Sequence, residues 1–435
     1  MTTRARNEFP IGATVGLDEL DRDPHAVHRR LRSDEPVSWL PSLDGWLVTR
    51  HDLALEAMRD AATFTVDDPR FSTAQVIGPS MLSLDGAAHT AHRTPFVGPF
   101  RAAAVTGRFE QAAAERAAEL VGRLAPAGSG ELRRGFAGPM SAAIVARALE
   151  LNRDEVDDVL GWYDSIVASV TAITAGEGAT DDGTRAYAAL RERLQRVISQ
   201  ASRTDAAAAD SARPPGDAQA PIADPARPPR AGAQAPIGDP PVAGLSLLAA
   251  AAQQGDALSH EQIASNAAVL LFGGIETTEG MIANAALELL RRPPLLAAVR
   301  DDPGRLDAVI DESLRLEPAA AVIDRYATGD TRLGNAAIAR GDLVRISITA
   351  ANRDPAVFER PDEFDPARTN LRRHLAFAQG PHVCVGVHLA RLEARAALRA
   401  LLTGLPALRA DPERPAHVRG LVFRKPATLH ARWDQ

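Results

Sequence analysis

Apolar residues recur at three- and four-residue spacing over about 100–200 and again over about 258–316, the period of helices that bury one face. The stretch LLFGGIETTEGMIANAALELL (270–290) reads as a long apolar helix interrupted by polar groups. Strand-like runs are short: VSWL with GWLVT near 37–49, LVRISIT near 343–349 and RGLVFR near 419–424. The pattern predicts a large, mainly α body with small β-sheets. One segment breaks it. Residues 203–243 are rich in Ala, Pro, Asp and Arg and contain a near-duplication, RPPGDAQAPIADP followed by RPPRAGAQAPIGDP. Proline at that density forbids a helix, and no apolar face is offered. A disordered surface insert is expected there, a docking arm being the other reading.

Composition narrows the class. Hydrophobic residues make up 45% of the 435 residues, so a sizeable core is affordable, and aromatics only 4%, so Ala, Leu, Val and Ile must build it. The length fits two or three average domains or one large single-core fold. A net charge of -7 argues against a general nucleic-acid binder. Lys425 is the one lysine among 49 basic residues, a bias that looks compositional. The one cysteine, Cys384, excludes an intramolecular disulfide. The N-terminal stretch lacks the apolar core of a signal peptide, and no run reaches about 18 uninterrupted apolar residues. A soluble, cytoplasmic protein is expected.

Cys384 stands in FAQGPHVCVG (377–386), a loop flanked by Gly380 and Gly386 and followed by a helical run, VGVHLARLEARAALRALL. The sulfur would sit at a helix start, where free N–H groups and the helix dipole favour a thiolate. Such a thiolate could ligate iron. A buried small side chain and a nucleophile, with His382 as its base, stay open on the residues alone.

The loop and helix start, F-x-x-G-x-H-x-C-x-G-x-x-L-A-R, resemble the haem-binding signature of the cytochrome P450 family, with Phe377, Gly380, His382, Cys384, Gly386, Leu389, Ala390 and Arg391 in place. The resemblance implies haem b with the Cys384 thiolate as proximal ligand. One departure is Ala378, where the family usually has glycine. Further along the chain, GGIETT resembles the family's oxygen-binding helix. That implies an oxygen groove at Gly273 and Gly274, an acid at Glu276 and an alcohol at Thr277 that together deliver protons; on the residues alone, a helix-packing notch is the favoured reading. DESLRLEP and the later ANRDPAVFERPDEFDPAR resemble the family's structural Glu/Arg helix and meander, which makes Glu312, Arg315 and Arg368 a buried trio. LDGAAHTAHRTPFVGPF offers His89 and Arg93 at i, i+4, and these with Arg325 and His382 are implied as propionate partners. Taken singly, each is an ordinary surface residue.

The resemblance covers about 20–433 apart from the insert and implies a single cytochrome P450 domain over 1–435, with the haem between the oxygen helix and the post-cysteine helix. The implied activity is monooxygenation: one atom of dioxygen enters a C–H or C=C bond. Electrons would come from a ferredoxin and its NAD(P)H-fed reductase, docking near Arg372, Arg373 and Arg391. The pocket would draw on 72–82, 266–270, 319–324 and 421–423, stretches that are mainly aliphatic. An apolar, medium-sized metabolite such as a terpenoid, steroid or polyketide-like intermediate is expected, and a monomer without nucleic acid or membrane. Oxidative coupling, desaturation or peroxide-driven oxidation, a non-catalytic haem sensor, and a carrier-protein-tethered substrate are the alternatives.

Overall fold

The computed structural model describes residues 8–151, 155–174, 177–211, 248 and 258–435. Strands β1 (Val37–Leu40) and β2 (Gly45–Val48) form a hairpin in which Trp39 faces Trp46. Helix α1 (His51–Arg59) and strand β3 (Phe64–Thr65) follow. The helical body comprises α2 (Gly86–Val97), α3 (Ala102–Leu124), α4 (Gly138–Ala148), α5 (Val156–Thr174), α6 (Asp181–Ser211), α7 (His260–Leu290) and α8 (Leu306–Leu316). Strands β4 (Val322–Ala327) and β5 (Leu343–Ser347) complete a five-stranded sheet, order β1-β2-β5-β4-β3, antiparallel except where β2 lies beside β5. Helix α9 (Val387–Gly404) follows the cysteine, and a small hairpin, β6 (Val418–Arg419) with β7 (Lys425–Pro426), comes near the end.

Helix α7 is the axis of the body. It starts at a capping box: Ser259 accepts the Gln262 N–H while the Gln262 side chain accepts the Ser259 N–H. From Ile263 to Leu290 it is buried nearly all round, because α4, α6, α8 and α9 pack on it. Most of its buried polar groups are partnered, Asn284 Oδ1 being an exception among the described residues. Asn284 Nδ2 donates to the Glu317 and Arg424 carbonyls, and Glu288 pairs with Arg291 and Arg292.

Two expectations need correction. The stretch expected to resist helix formation begins later than 203, because α6 runs to Ser211. Its first proline is Pro214, and alanines 206–209 before it favour helix. The remainder, 212–243, lies outside the described residues. RGLVFR is not one continuous strand: Arg419 ends β6, and Phe423 forms an isolated bridge to Ala320. Gly420 takes φ 124° and turns the chain, so Leu421, Val422 and Phe423 form the hairpin's end between β6 and β7.

The cysteine loop is shaped by two left-handed positions. Gly380 has φ 75°, and a Cβ there would lie 2.5 Å from the Met58 carbonyl oxygen at the end of α1. Ala378 has φ 56°, a conformation that costs an L-residue about 1–2 kcal/mol. Glycine would relieve that cost but lose about 0.4–1 kcal/mol through the freer unfolded chain. Ala378→Gly is therefore expected to stabilise the protein by up to about 1.5 kcal/mol. Thermal unfolding of the haem-loaded protein checks this, and a lower Tm would contradict it.

Candidate functional site

Between α7 and the cysteine loop lies a cavity of about 720 Å³, within the size range of small-molecule sites. Cys384 lines one side. Its backbone N–H donates to the Phe377 carbonyl at 2.8 Å, closing the loop, and Gly386 caps α9 just beyond. Burial pushes the Cys384 thiol up, against the pull of the Gly386 N–H and the charges of Arg93 and Arg391. The helix-start donors expected from the sequence are thus present, and burial outweighs them. Phe377 also lines the cavity, under the Arg391 guanidinium 4.9 Å from its ring. Gly380 does not line it, and its place is the tight contact with α1.

On the opposite side the two glycines of α7 do different work. A Cβ on Gly274 would fall 2.6 Å from Val145 Cγ2, so this glycine is where α4 packs into α7. A Cβ on Gly273 would meet nothing within 4 Å, and Gly273 opens onto the cavity. Both glycines line the cavity, and Gly274 is also the packing notch. The helix runs unbroken through them, and Thr277 Oγ1 donates to the Gly273 carbonyl at 2.6 Å. Glu276 lines the cavity too, but its Oε1 lies 2.7 Å from Lys425 Nζ. Lys425 was missed by sequence reasoning, although its being the one lysine was a visible signal.

One edge of the cavity is cationic, with Arg93, Arg325 and His382 along it. Arg325 is 4% exposed and donates only to the Asp324 carbonyl among the described residues. The Asp324 carboxylate is taken by Arg345, at 2.7 and 2.8 Å. Burial pushes the Arg325 guanidinium down to about 10, against the opposing pull of the Asp85 and Asp324 charges. Arg93 donates to the Val383 carbonyl at 2.5 Å. His382 Nε2 meets Asp85 Oδ1 at 2.7 Å. Burial of Asp85 is overcome by hydrogen bonds from His382, Thr65 and the Val66 N–H, which hold it at about 2. His89 lies behind, its ring centroid 4.4 Å from that of His382. Its buried Nε2 has no partner among the described residues. Burial, then the neighbouring His382 and Arg93, hold His89 down at about 4. A buried guanidinium with no carboxylate hydrogen-bonded to it among the described residues, beside an orphaned imidazole nitrogen, is what a dicarboxylate such as haem would complete. With one thiol across the same cavity, the residues fit haem.

The mainly aliphatic wall includes Met81, Leu82, Val269, Leu270, Ala319, Ile323, Leu421 and Phe423, as the sequence predicted. Asn266 instead holds the 72–82 loop, accepting the Met81 N–H at 2.7 Å and donating to His92 Nδ1 at 3.0 Å. Val145 of α4, Leu149 just after it, and Val167, Val170 and Thr171 of α5 also line the wall and were not foreseen. Their apolar spacing is that of any packed helix.

Glu312, Arg315 and Arg368 meet outside the cavity. Arg315 bonds both Glu312 oxygens, at 2.7 and 2.8 Å, and Arg368 Nε lies 3.1 Å from Glu312 Oε1. Among the described residues no helix is long and apolar enough to cross a membrane.

The sequence profile of the Cytochrome P450 family matches residues 234–405. Cytochrome P450 107B1 of Saccharopolyspora erythraea is 31% identical over 414 residues, covering 90% of each chain. The 20-oxo-5-O-mycaminosyltylactone 23-monooxygenase of Streptomyces fradiae is 30% identical over 397 residues, 89% of this chain and 83% of that protein. Among solved structures, cytochrome P450 CYP109Q5 from Chondromyces apiculatus superposes with a TM-score of 0.77 at 26% identity over 97% of each chain. A lone thiol facing a glycine-notched helix across an aliphatic cavity agrees with these likenesses, and the chain belongs to the cytochrome P450 family of haem-thiolate monooxygenases.

Proposed function

We propose that this enzyme hydroxylates or epoxidises an apolar, medium-sized metabolite, with Cys384 as the proximal haem ligand. The observation that carries the reading is the cavity itself: its one thiol faces Gly273 and Thr277 across walls that are mainly aliphatic. When bound, the haem supplies oxygen activation, its thiolate ligand favouring O–O cleavage. The chain's own residues do the rest. Arg93, Arg325 and His382, with His89 behind, would hold the propionates. Gly386 offers its N–H to the Cys384 sulfur. Thr277 Oγ1, with its proton given to the Gly273 carbonyl, keeps lone pairs free to order water. Glu276 supplies the carboxyl group from which a proton can reach that water. The aliphatic wall excludes bulk water and orients the substrate.

The Streptomyces fradiae relative is by name a monooxygenase of 20-oxo-5-O-mycaminosyltylactone, which supports a place in natural-product oxidation. Terpenoid, steroid and macrolide probes are expected to shift the haem spin state of the purified protein at micromolar concentration. Tight binding of a highly charged probe in their place would sink the apolar reading.

Electrons are read as coming from a ferredoxin and its NAD(P)H-fed reductase, in the cytoplasm. The docking patch is smaller than the sequence suggested, because Arg391 is committed to Asp311 at 2.7 Å. Arg372, its side chain 84% exposed and 3.8 Å from Asp311 against 2.7 Å for Arg391, and Arg373 remain available. Reversing both charges is expected to slow reduction by ferredoxin about tenfold at low salt. An unchanged rate would count against this face.

A further inference from the structure

The reading of Glu276 and Thr277 as a proton-delivering pair leaves a buried cation unexplained. Lys425 is the chain's one lysine, and its side chain is 9% exposed. Its Nζ lies 2.7 Å from Glu276 Oε1 and also hydrogen-bonds Glu279 Oε2. The two carboxylates are three residues apart, on one face of α7. Glu276 lines the cavity, whereas Glu279, 1% exposed, does not. Behind Glu279 stands Arg133, its Nε 3.2 Å from Glu279 Oε1, and Arg133 donates in turn to the Ala427 carbonyl. The lysine stem reaches this place from β7 by passing α7 at Gly280. A Cβ on Gly280 would fall 3.5 Å from Lys425 Cδ and 2.8 Å from Ala319 Cβ. A narrow stem with a compact, three-donor head suits that passage. No hydrogen bond joins Glu276 to Thr277 among the described residues. Each is committed elsewhere, Thr277 to the Gly273 carbonyl and Glu276 to Lys425.

We infer that Lys425 is a positioning residue for proton delivery: it fixes where the Glu276 carboxylate sits on the cavity wall, and Glu279 anchors Lys425. The inference rests on the proposed role of Glu276. Glu279 gives the ammonium a second anion, so its place does not depend on Glu276 alone. Removing the lysine leaves Glu276 free to take other rotamers at the cavity wall. It also leaves Glu279 with Arg133 as its one ion-pair partner among the described residues.

The test uses the haem-loaded full chain, supplied with electrons by a plant-type ferredoxin and its reductase without added substrate. Two readouts report on the cavity in ways that a structural brace would not: the C–O stretch of the reduced carbon monoxide complex, and the solvent hydrogen isotope effect on dioxygen consumption. Lys425→Met is paired with Lys425→Met/Glu279→Gln, which removes the excess buried negative charge should the single variant fail to fold. Both are expected to shift the C–O stretch and to change the solvent isotope effect at least twofold. Lys425→Arg is expected to recover part of each change, and Glu279→Gln, whose amide oxygen still accepts from Lys425 but without the charge, to move both readouts less than the Lys425 variants do. Should Glu276→Gln move both readouts while the Lys425 variants leave them at wild-type values, the inference falls and the role of Glu276 stands. Should Glu276→Gln move neither, the role of Glu276 fails and takes the inference with it.

Discussion

Replacing Cys384 by serine is expected to remove the red-shifted Soret band of the reduced carbon monoxide complex and to lower monooxygenase activity by a factor of about 10³ or more, over ~4 kcal/mol of barrier. Serine differs at one atom, so the loop has little reason to change. Its closing hydrogen bond runs from the backbone N–H of residue 384 to the Phe377 carbonyl and survives the substitution. The cationic edge at Arg93, Arg325 and His382 is untouched, so haem retention and thermal unfolding should stay near wild type. What is lost is the soft, polarizable thiolate and the electron density it donates. Haem bound in well-folded C384S with the band still red-shifted would mean that another group ligates the iron, and the proposed function would fall with Cys384.

The parts of the site that were legible in the sequence are those whose residue types are hard to place elsewhere. A single thiol between glycines before a helix, and a glycine pair followed by Glu and Thr inside an apolar run, are costly patterns without a use. The structure sets both on one cavity. Glu312, Arg315 and Arg368 meet as expected, across a separation of 56 residues. The less legible parts depend on long-range geometry. Gly273 and Gly274 look alike in the sequence, yet only Gly274 faces Val145 of α4. His382 was read as a propionate partner, and its Nε2 also carries an ion pair to Asp85, nearly 300 residues away, which no spacing announces. The lining from α5 was invisible because Val167, Val170 and Thr171 follow the same helical period as residues that merely pack. Lys425 was set aside with the arginine bias, although a lone lysine marks a place where a guanidinium was not used.

Glu312→Ala is expected to destabilise the protein by about 3–5 kcal/mol, the cost of leaving buried cations without their anion. The Glu312 and Arg315 side chains are both 0% exposed, and that of Arg368 is 5% exposed. Arg315 would keep its bonds to the Asn352, Pro361 and Glu363 carbonyls, which solvate the charge without neutralising it. The Asp365 N–H would also lose its acceptor, Glu312 Oε1 at 2.7 Å. Against a typical total of about 5–15 kcal/mol, the loss is large enough to lower the folded fraction on warming. It should reach the haem site as well. Asn352, whose carbonyl Arg315 holds, accepts the Leu375 N–H at 2.7 Å through its side chain, and Leu375 leads directly into the cysteine loop. Glu312→Gln keeps the shape and one acceptor oxygen, so it should fall between wild type and Glu312→Ala. Denaturant unfolding with haem content measured alongside separates the two roles. A loss of stability with haem retention unchanged would make the trio a brace of α8 against the 352–368 segment alone. A parallel fall in both would show that the same buried charges hold the loop that presents Cys384.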